Sequence, residues 1–251
     1  EAENEYRAVI KLQEEVLGPK DPNTLGTRNG LANALTDQHK NAEAENEYRA
    51  VIKLQEEVLG PEHPDTLGTR NNLASALADQ DKYAEAESEF RAVIKLQEKV
   101  LGPEHRDTLG SRYNLATAFD HQGEYAHAEN EYRAVLKLEE ELVGPEDPDT
   151  LTTRNGLAWL LATCSNDKIR NGREAVELAT KVCELSKWSN AGWVDTLAAA
   201  EAEAGLFDAA VKHQKQAIEL AKAANSNTKD YEQHINLYRQ HKPYREMRQA
   251  R

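Results

Sequence analysis

EAENEYRAVIKLQEEVLGP at residues 1–19 recurs without change at residues 43–61. A third copy, AESEFRAVIKLQEKVLGP, begins at Ala86, and a fourth, AENEYRAVLKLEEELVGP, begins at Ala128. The matching alanines Ala2, Ala44, Ala86 and Ala128 set a period of 42 residues. The intervening segments repeat as well: NTLGTRNGLANAL from Asn23, DTLGTRNNLASAL from Asp65, DTLGSRYNLATAF from Asp107 and DTLTTRNGLAWLL from Asp149. Near-identity of this degree implies recent duplication or deliberate design. A period of 20–50 residues reads as a solenoid or an array.

Each unit reads as two helices. Over Asp65–Gln80, Leu67, Arg70, Leu73, Ala74 and Leu77 recur at helical spacing on one face. His63-Pro64-Asp65 marks the start, because proline suits the first helical turn and an acid suits the positive helix end. A polar link, Asp79 to Lys82, leads into a second helix over Tyr83–Leu101, whose expected buried stripe is Ala86, Phe90, Val93, Ile94 and Val100. Gly102-Pro103 ends it, since glycine accepts the left-handed exit and proline cannot continue the helix. One such hairpin cannot bury its apolar stripe alone, so neighbours must stack.

Composition agrees and excludes several classes. The chain has 251 residues, with 31 Lys+Arg against 44 Asp+Glu, a formal net charge of 31 − 44 = −13. Only 13 glycines, 8 prolines and 6% aromatics accompany 30% charged residues, a helix-rich profile. No apolar run is long enough to span a membrane or serve as a signal peptide. The net charge argues against nucleic acid or an anionic membrane as partner. Cys164 and Cys183 are the only cysteines, too few for a disulfide framework, which points to a reducing, cytoplasmic setting. The first residue is Glu1 rather than Met, which reads as a fragment of a longer protein.

Asn72-Leu73-Ala74, Gln80-x-Lys82-Tyr83-x-Glu85-Ala86-Glu87, Phe90 and Leu101-Gly102-Pro103-Glu104-His105 resemble the tetratricopeptide repeat family. Within it they are similar to the 42-residue repeats of kinesin light chains, and similar tandem units occur in large bacterial proteins. The resemblance implies an all-α fold, an α-solenoid in which helix-turn-helix repeats wind into a right-handed superhelix. It covers residues 1–163. Residues 164–226 read as two shorter, divergent units: a second helix over Arg173–Ser186, a first helix over Asn190–Ala204 with Leu197-Ala198 in the Leu-Ala slot, and a further second helix to about Ala224. Residues 227–251 read as a capping helix, Lys229–Arg239, and a basic tail with Arg245, Arg248 and Arg251. The N-terminal helix lacks a matching first helix.

No catalytic constellation emerges, so an enzyme is not expected. His63 and His105 occupy equivalent turns, where a structural or solvated role is expected. His121 and His127 lack the spacing of a helical zinc motif. The cysteines are not a paired-thiol motif and read as small apolar residues. No glycine-rich phosphate loop is present, and no metal or cofactor is expected.

Binding chemistry is expected on the first helices, which by family resemblance line a concave groove. One ladder is Asn29, Asn71, Tyr113 and Asn155, with Asn72 and Asn114 one step on; an asparagine amide both donates to and accepts from a peptide backbone. The alternative is that these amides bond neighbouring helices and fix the stacking. A second ladder, Arg28, Arg70, Arg112 and Arg154, occupies a slot that is usually apolar in the family. It reads either as ion pairs to Glu47-, Glu89- and Glu131-type carboxylates or as cationic studs for an acidic peptide. A third ladder, Asn33, Ser75, Thr117 and Trp159, varies while its surroundings hardly change, as specificity pockets would. Trp159 with Tyr113 could anchor a ligand, or Trp159 could pack under the irregular segment Cys164–Gly172. Gly26, Gly68 and Gly110 suggest close approach by a helix or ligand.

The leading expectation is a protein-interaction scaffold that holds an extended peptide, acidic in one reading, or a partner helix in this groove. Two other readings stand beside it: a regulatory sensor segment of a larger bacterial signalling or effector enzyme, and a self-assembling repeat that associates weakly through the uncapped N-terminal helix.

Overall fold

A computed structural model of the chain describes residues 2–246. Among the described residues it is all helix, with twelve α-helices and no strand. The chain packs as two compact units, Glu1–Ala118 and Phe119–Arg251. The first holds α1 (Ala2–Val16), α2 (Pro22–Asp37), α3 (Asn41–Val58), α4 (Pro64–Ala78) and α5 (Tyr83–Val100). The division falls within α6 (Arg106–Gln122). The second holds α7 (Tyr125–Leu142), α8 (Pro148–Thr163), α9 (Gly172–Leu185), α10 (Ala191–Glu203), α11 (Phe207–Ala223) and α12 (Lys229–Tyr238). Arg248 and Arg251 lie outside the described residues.

The helix starts follow from side-chain capping. Asp21 and Asp147 each accept the backbone N–H two residues on at 2.9 Å, and His63 and His105 do the same through Nδ1 at 3.2 Å. The two histidines thus take the N-cap place that an aspartate fills in the flanking copies, satisfying a helix-end donor. Proline follows at the first helical position in α2, α4 and α8. At the exit of α3, Gly60 turns left-handed with φ 93° and donates to the Gln55 carbonyl at 3.1 Å. Thr66 Oγ1 then donates to the Gly60 carbonyl at 2.9 Å, and Thr108 does the same to Gly102, so at these two junctions the end of one repeat is tied to the start of the next.

Small residues let the helices approach and large ones fill the gaps. Ala74 and Ala86 are fully buried, beside Leu67, Phe90 and Val93 at 1% exposure or less. The stripe on α5 differs from expectation at its end: Val100 is 42% exposed, whereas Gln97 is buried. Positions 86, 90, 93 and 97 advance by alternate steps of four and three and the same stepping reaches Val100, but α5 ends there and the side chain is left exposed. α1 carries the sequence of a second helix without a first helix packed before it. Val9 is accordingly 44% exposed, while its counterparts Val51, Val93 and Val135 are fully buried.

Charges bind successive second helices into a lattice within the first unit. Glu3 accepts from Lys40 at 2.7 Å and Glu45 accepts from Lys82 at 2.7 Å, the same contact one period apart. In the second unit, Ala158, Ala179, Cys183, Val194, Leu197 and Ala217 form a core cluster against which Trp188 and Trp193 pack. Gly172 permits the close approach of α9 to the end of α10, since a Cβ there would lie 2.6 Å from the Ala204 nitrogen.

Candidate peptide-binding faces

In the first unit the asparagine ladder is half-buried on α2 and α4. The side-chain oxygens of Asn29 and Asn71 are shielded from solvent and have no hydrogen-bond partner, and Asn155 on α8 of the second unit is in the same state. A buried amide oxygen without a partner is costly, and the same state recurs on the second helices at Gln13, Gln55 and Gln97. Asn72 and Asn33 are engaged. Asn33 Oδ1 accepts from the Tyr48 hydroxyl at 2.6 Å and from Asn72 Nδ2 at 3.2 Å. These two amides therefore join α2 to α3 and α4. Ser75 and Thr117 turn their hydroxyls back to the carbonyls of Asn71 and Tyr113, each at 3.2 Å. Tyr113 and Asn114 are half-buried on α6.

The arginine ladder is largely consumed by the fold. Arg28 donates to Glu47 and Arg70 to Glu89, both at 2.6 Å. The hydrogen bond to the carboxylate raises each guanidinium above its ordinary pKa, against the opposing effect of burial. Arg154, only 4% exposed, departs from the register: it pairs with Glu140 and donates to the Pro145 carbonyl at 3.2 Å. The residue nineteen positions after Arg28 and Arg70 is a glutamate, but nineteen after Arg154 stands Arg173, so a different carboxylate must be found. Arg154 also lines a cleft of about 560 Å³ with Glu174, Glu177 and Lys181. Arg112 is half-buried in the same register.

Trp159 is half-buried on α8. Its ring lies 6.1 Å from His234 and 5.8 Å from Tyr244, between α8, α12 and the chain that follows α12. Close by, Asp195 Oδ1 is bonded to His234 Nδ1 at 2.9 Å and accepts from Gln214 at 2.5 Å. Asp195, His234, Glu203, Tyr244 and Arg245 were not among the expected site residues. Asp195 had a signal: it precedes Leu197-Ala198 by two positions, as Asn71 precedes Leu73-Ala74. Gly26, Gly68 and Gly110 do not mark close approach, because a Cβ at each would meet nothing within 4 Å.

Burial pushes the Cys164 thiol up to about 11 and the Cys183 thiol up to about 12, so neither is set up as a nucleophile. Among the described residues no cluster of three or more His, Cys, Asp or Glu side chains could hold a metal ion. No described helix is long and apolar enough to cross a membrane.

Helical hairpins at a 42-residue period, with charges spent between helices and a polar face kept on the first helices, define a repeat scaffold of the protein-interaction class. Tetratricopeptide repeat profiles match residues 24–65 and 65–141. Residues 24–141 are thus tetratricopeptide repeats, and they are of the kinesin-light-chain-like kind. The chain is similar to a solved structure from Podosopora anserina of nearly identical TPR-like repeats assigned to a kinesin light chain. The match has 25% identity and a TM-score of 0.65, over 82% of this chain and 99% of that one. BtubC (BKLC) from P. vanneervenii shares the fold at 18% identity and a TM-score of 0.71, over 90% of this chain and 91% of that one. MamA from Desulfovibrio magneticus RS-1 does so at 16% identity and a TM-score of 0.54, over 80% of this chain and 97% of that one. No curated protein matches the chain at a significant level.

Proposed function

We propose that the chain is a cytoplasmic interaction scaffold whose first-helix faces hold extended peptide, and that it catalyses no reaction. The observation that carries this reading is the unbonded amide oxygen at Asn29, Asn71 and Asn155, repeated at the same position of three first helices. A soft terminal torsion lets such an amide exchange its inward oxygen for its nitrogen. It then offers a donor and an acceptor to a peptide backbone, which gives affinity with little demand on sequence. Tyr113, Asn114, Ser75 and Thr117 border the ladder and supply the variation that selects side chains. Arg28, Arg70 and Arg154 are neutralised by glutamates, so they frame the faces rather than select an acidic ligand. A net charge of −13 disfavours nucleic acid and anionic membrane as alternatives.

Panning a displayed peptide library against the chain tests this reading. Wild type is expected to enrich binders that Asn29→Ala, Asn71→Ala and Asn155→Ala together abolish. The same changes are expected to leave the fold unharmed, because each removes an unbonded oxygen and inserts a better helix former. Equal enrichment by wild type and the triple variant would overturn it.

A further inference from the structure

Beyond α12 the chain does not leave the second unit. Residues 243–246 run without secondary structure, half-buried, across the ends of two first helices. The Glu246 N–H donates to the Thr163 carbonyl at 3.1 Å. Arg245 Nη1 reaches the Ala162 carbonyl at 3.4 Å, and Nη2 is bound to the Glu203 carboxylate. The Tyr244 ring lies 4.1 Å from His234 and 5.8 Å from Trp159.

The receptor for these groups is built by the fold and held independently of them. α8 ends at Thr163, so the carbonyls of its last turn lack intrahelical partners and carry the negative pole of the helix. Glu203, at the last position of α10, is already fixed by Arg170 at 3.0 Å, and Arg170 is in turn anchored on the Cys164 carbonyl at 3.0 Å. One carboxylate held by one arginine has acceptor capacity for a second. Asp195 is bonded to the His234 ring, and His234 with Trp159 forms an aromatic platform against which the Tyr244 ring packs. Helix carbonyls and a carboxylate that receive a guanidinium, next to an aromatic platform, read an aromatic residue followed directly by arginine. The backbone bond to Thr163 fixes the direction of the strand that carries them.

We propose that this is an exchangeable peptide site, specific for an extended segment bearing an aromatic–arginine pair, with Pro243–Glu246 as its intramolecular occupant. The inference rests on the reading above only in treating first-helix faces as peptide surfaces, and it names the ligand class for one of them. The tether gives the resident segment a high effective concentration, so an external ligand competes against it and binds the intact chain weakly. Release of Tyr244 and Arg245 opens the site. His234, Ile235 and Tyr238 on α12 are buried and keep the unit closed beneath it.

The probe is a fluorescent peptide with the sequence of residues 240–246, titrated by anisotropy into three full-length proteins. Y244A/R245A is expected to bind it at least about tenfold more tightly than wild type, the penalty a modest effective concentration imposes. Y244A/R245A/E203Q is expected to lose that gain. Amide exchange on wild type supplies a readout that needs no variant. The Glu246 N–H is expected to exchange far faster than that of Ile235, and excess unlabelled peptide to accelerate it further. Equal binding by wild type and Y244A/R245A overturns the proposal, as does Glu246 protection matching that of α12. Loss of helical circular dichroism in Y244A/R245A also overturns it, because the segment would then be part of the fold. Library peptides that still depend on Asn71 would leave the general reading intact under any of these outcomes, whereas their absence would remove that reading alone.

Discussion

The Arg70 guanidinium on α4 donates to the Glu89 carboxylate on α5 at 2.6 Å, and Arg28 and Glu47 repeat the contact one period earlier. Both partners at each site are well covered, so the pair is worth more than a surface bridge. Arg70→Ala is expected to cost about 1–2 kcal/mol, because it leaves Glu89 without its donor. A double-mutant cycle with Glu89→Ala should return a coupling of about 1 kcal/mol in urea unfolding. Peptide binding should follow only the loss of stability. A coupling near zero, or loss of binding without loss of stability, would make Arg70 a ligand residue after all.

Gly68 lies in the second turn of α4 with open space around it. Alanine fits there without a clash and restricts the unfolded chain, so Gly68→Ala should stabilise the protein by about 0.5–1 kcal/mol. Thermal unfolding decides this. A lower midpoint would show that the position needs glycine in the folded chain.

Glu45 is held at about 2, first by the hydrogen bond from Lys82 and further by those from Gln80 and Arg49, with burial opposing them. A lowered carboxylate pKa stabilises the fold fully above the unfolded value of about 4.3, and the contribution is lost as pH falls through the folded one. Wild type should therefore exceed Glu45→Gln in stability at pH 6, and the gap should close between about pH 4 and pH 2. A gap that is constant across that range, measured by urea midpoints, would contradict the Lys82 contact as its source.

Cys183 is fully buried and its thiol is pushed up to about 12, mainly by that burial and then by Glu201 and Glu184. Neither cysteine should react with an aromatic disulfide reagent at pH 8 in the native chain, and both should do so in denaturant. Rapid native labelling of either would indicate an opening of the α8–α10 core.

The repeat register was the most legible feature, because each 42-residue copy carries its own start, exit and stripe. Glu47 and Glu89 could be named as arginine partners from that register alone. It failed at Arg154, where the expected glutamate is replaced by Arg173, and at Val100, which lies on the helical stepping but is exposed because α5 ends there. The histidine caps at His63 and His105 were legible only as a position, since their partner is the backbone two residues on. The Trp159 contact with Tyr244 was not legible, because it joins residues 85 apart that belong to no period. The unbonded state of Asn29, Asn71 and Asn155 likewise depends on which donors the neighbouring helices place nearby, and residue type does not encode that.

The side-chain amide resonances of Asn29, Asn71 and Asn155, followed by NMR during titration with a library-selected peptide, test the first-helix faces most directly. A peptide backbone bonded to these amides predicts large, saturable shifts of their NH2 protons, while the second-helix amides of Asn46 and Gln97 stay still. Shifts confined to second-helix resonances, with the three asparagines unmoved at saturation, would contradict it.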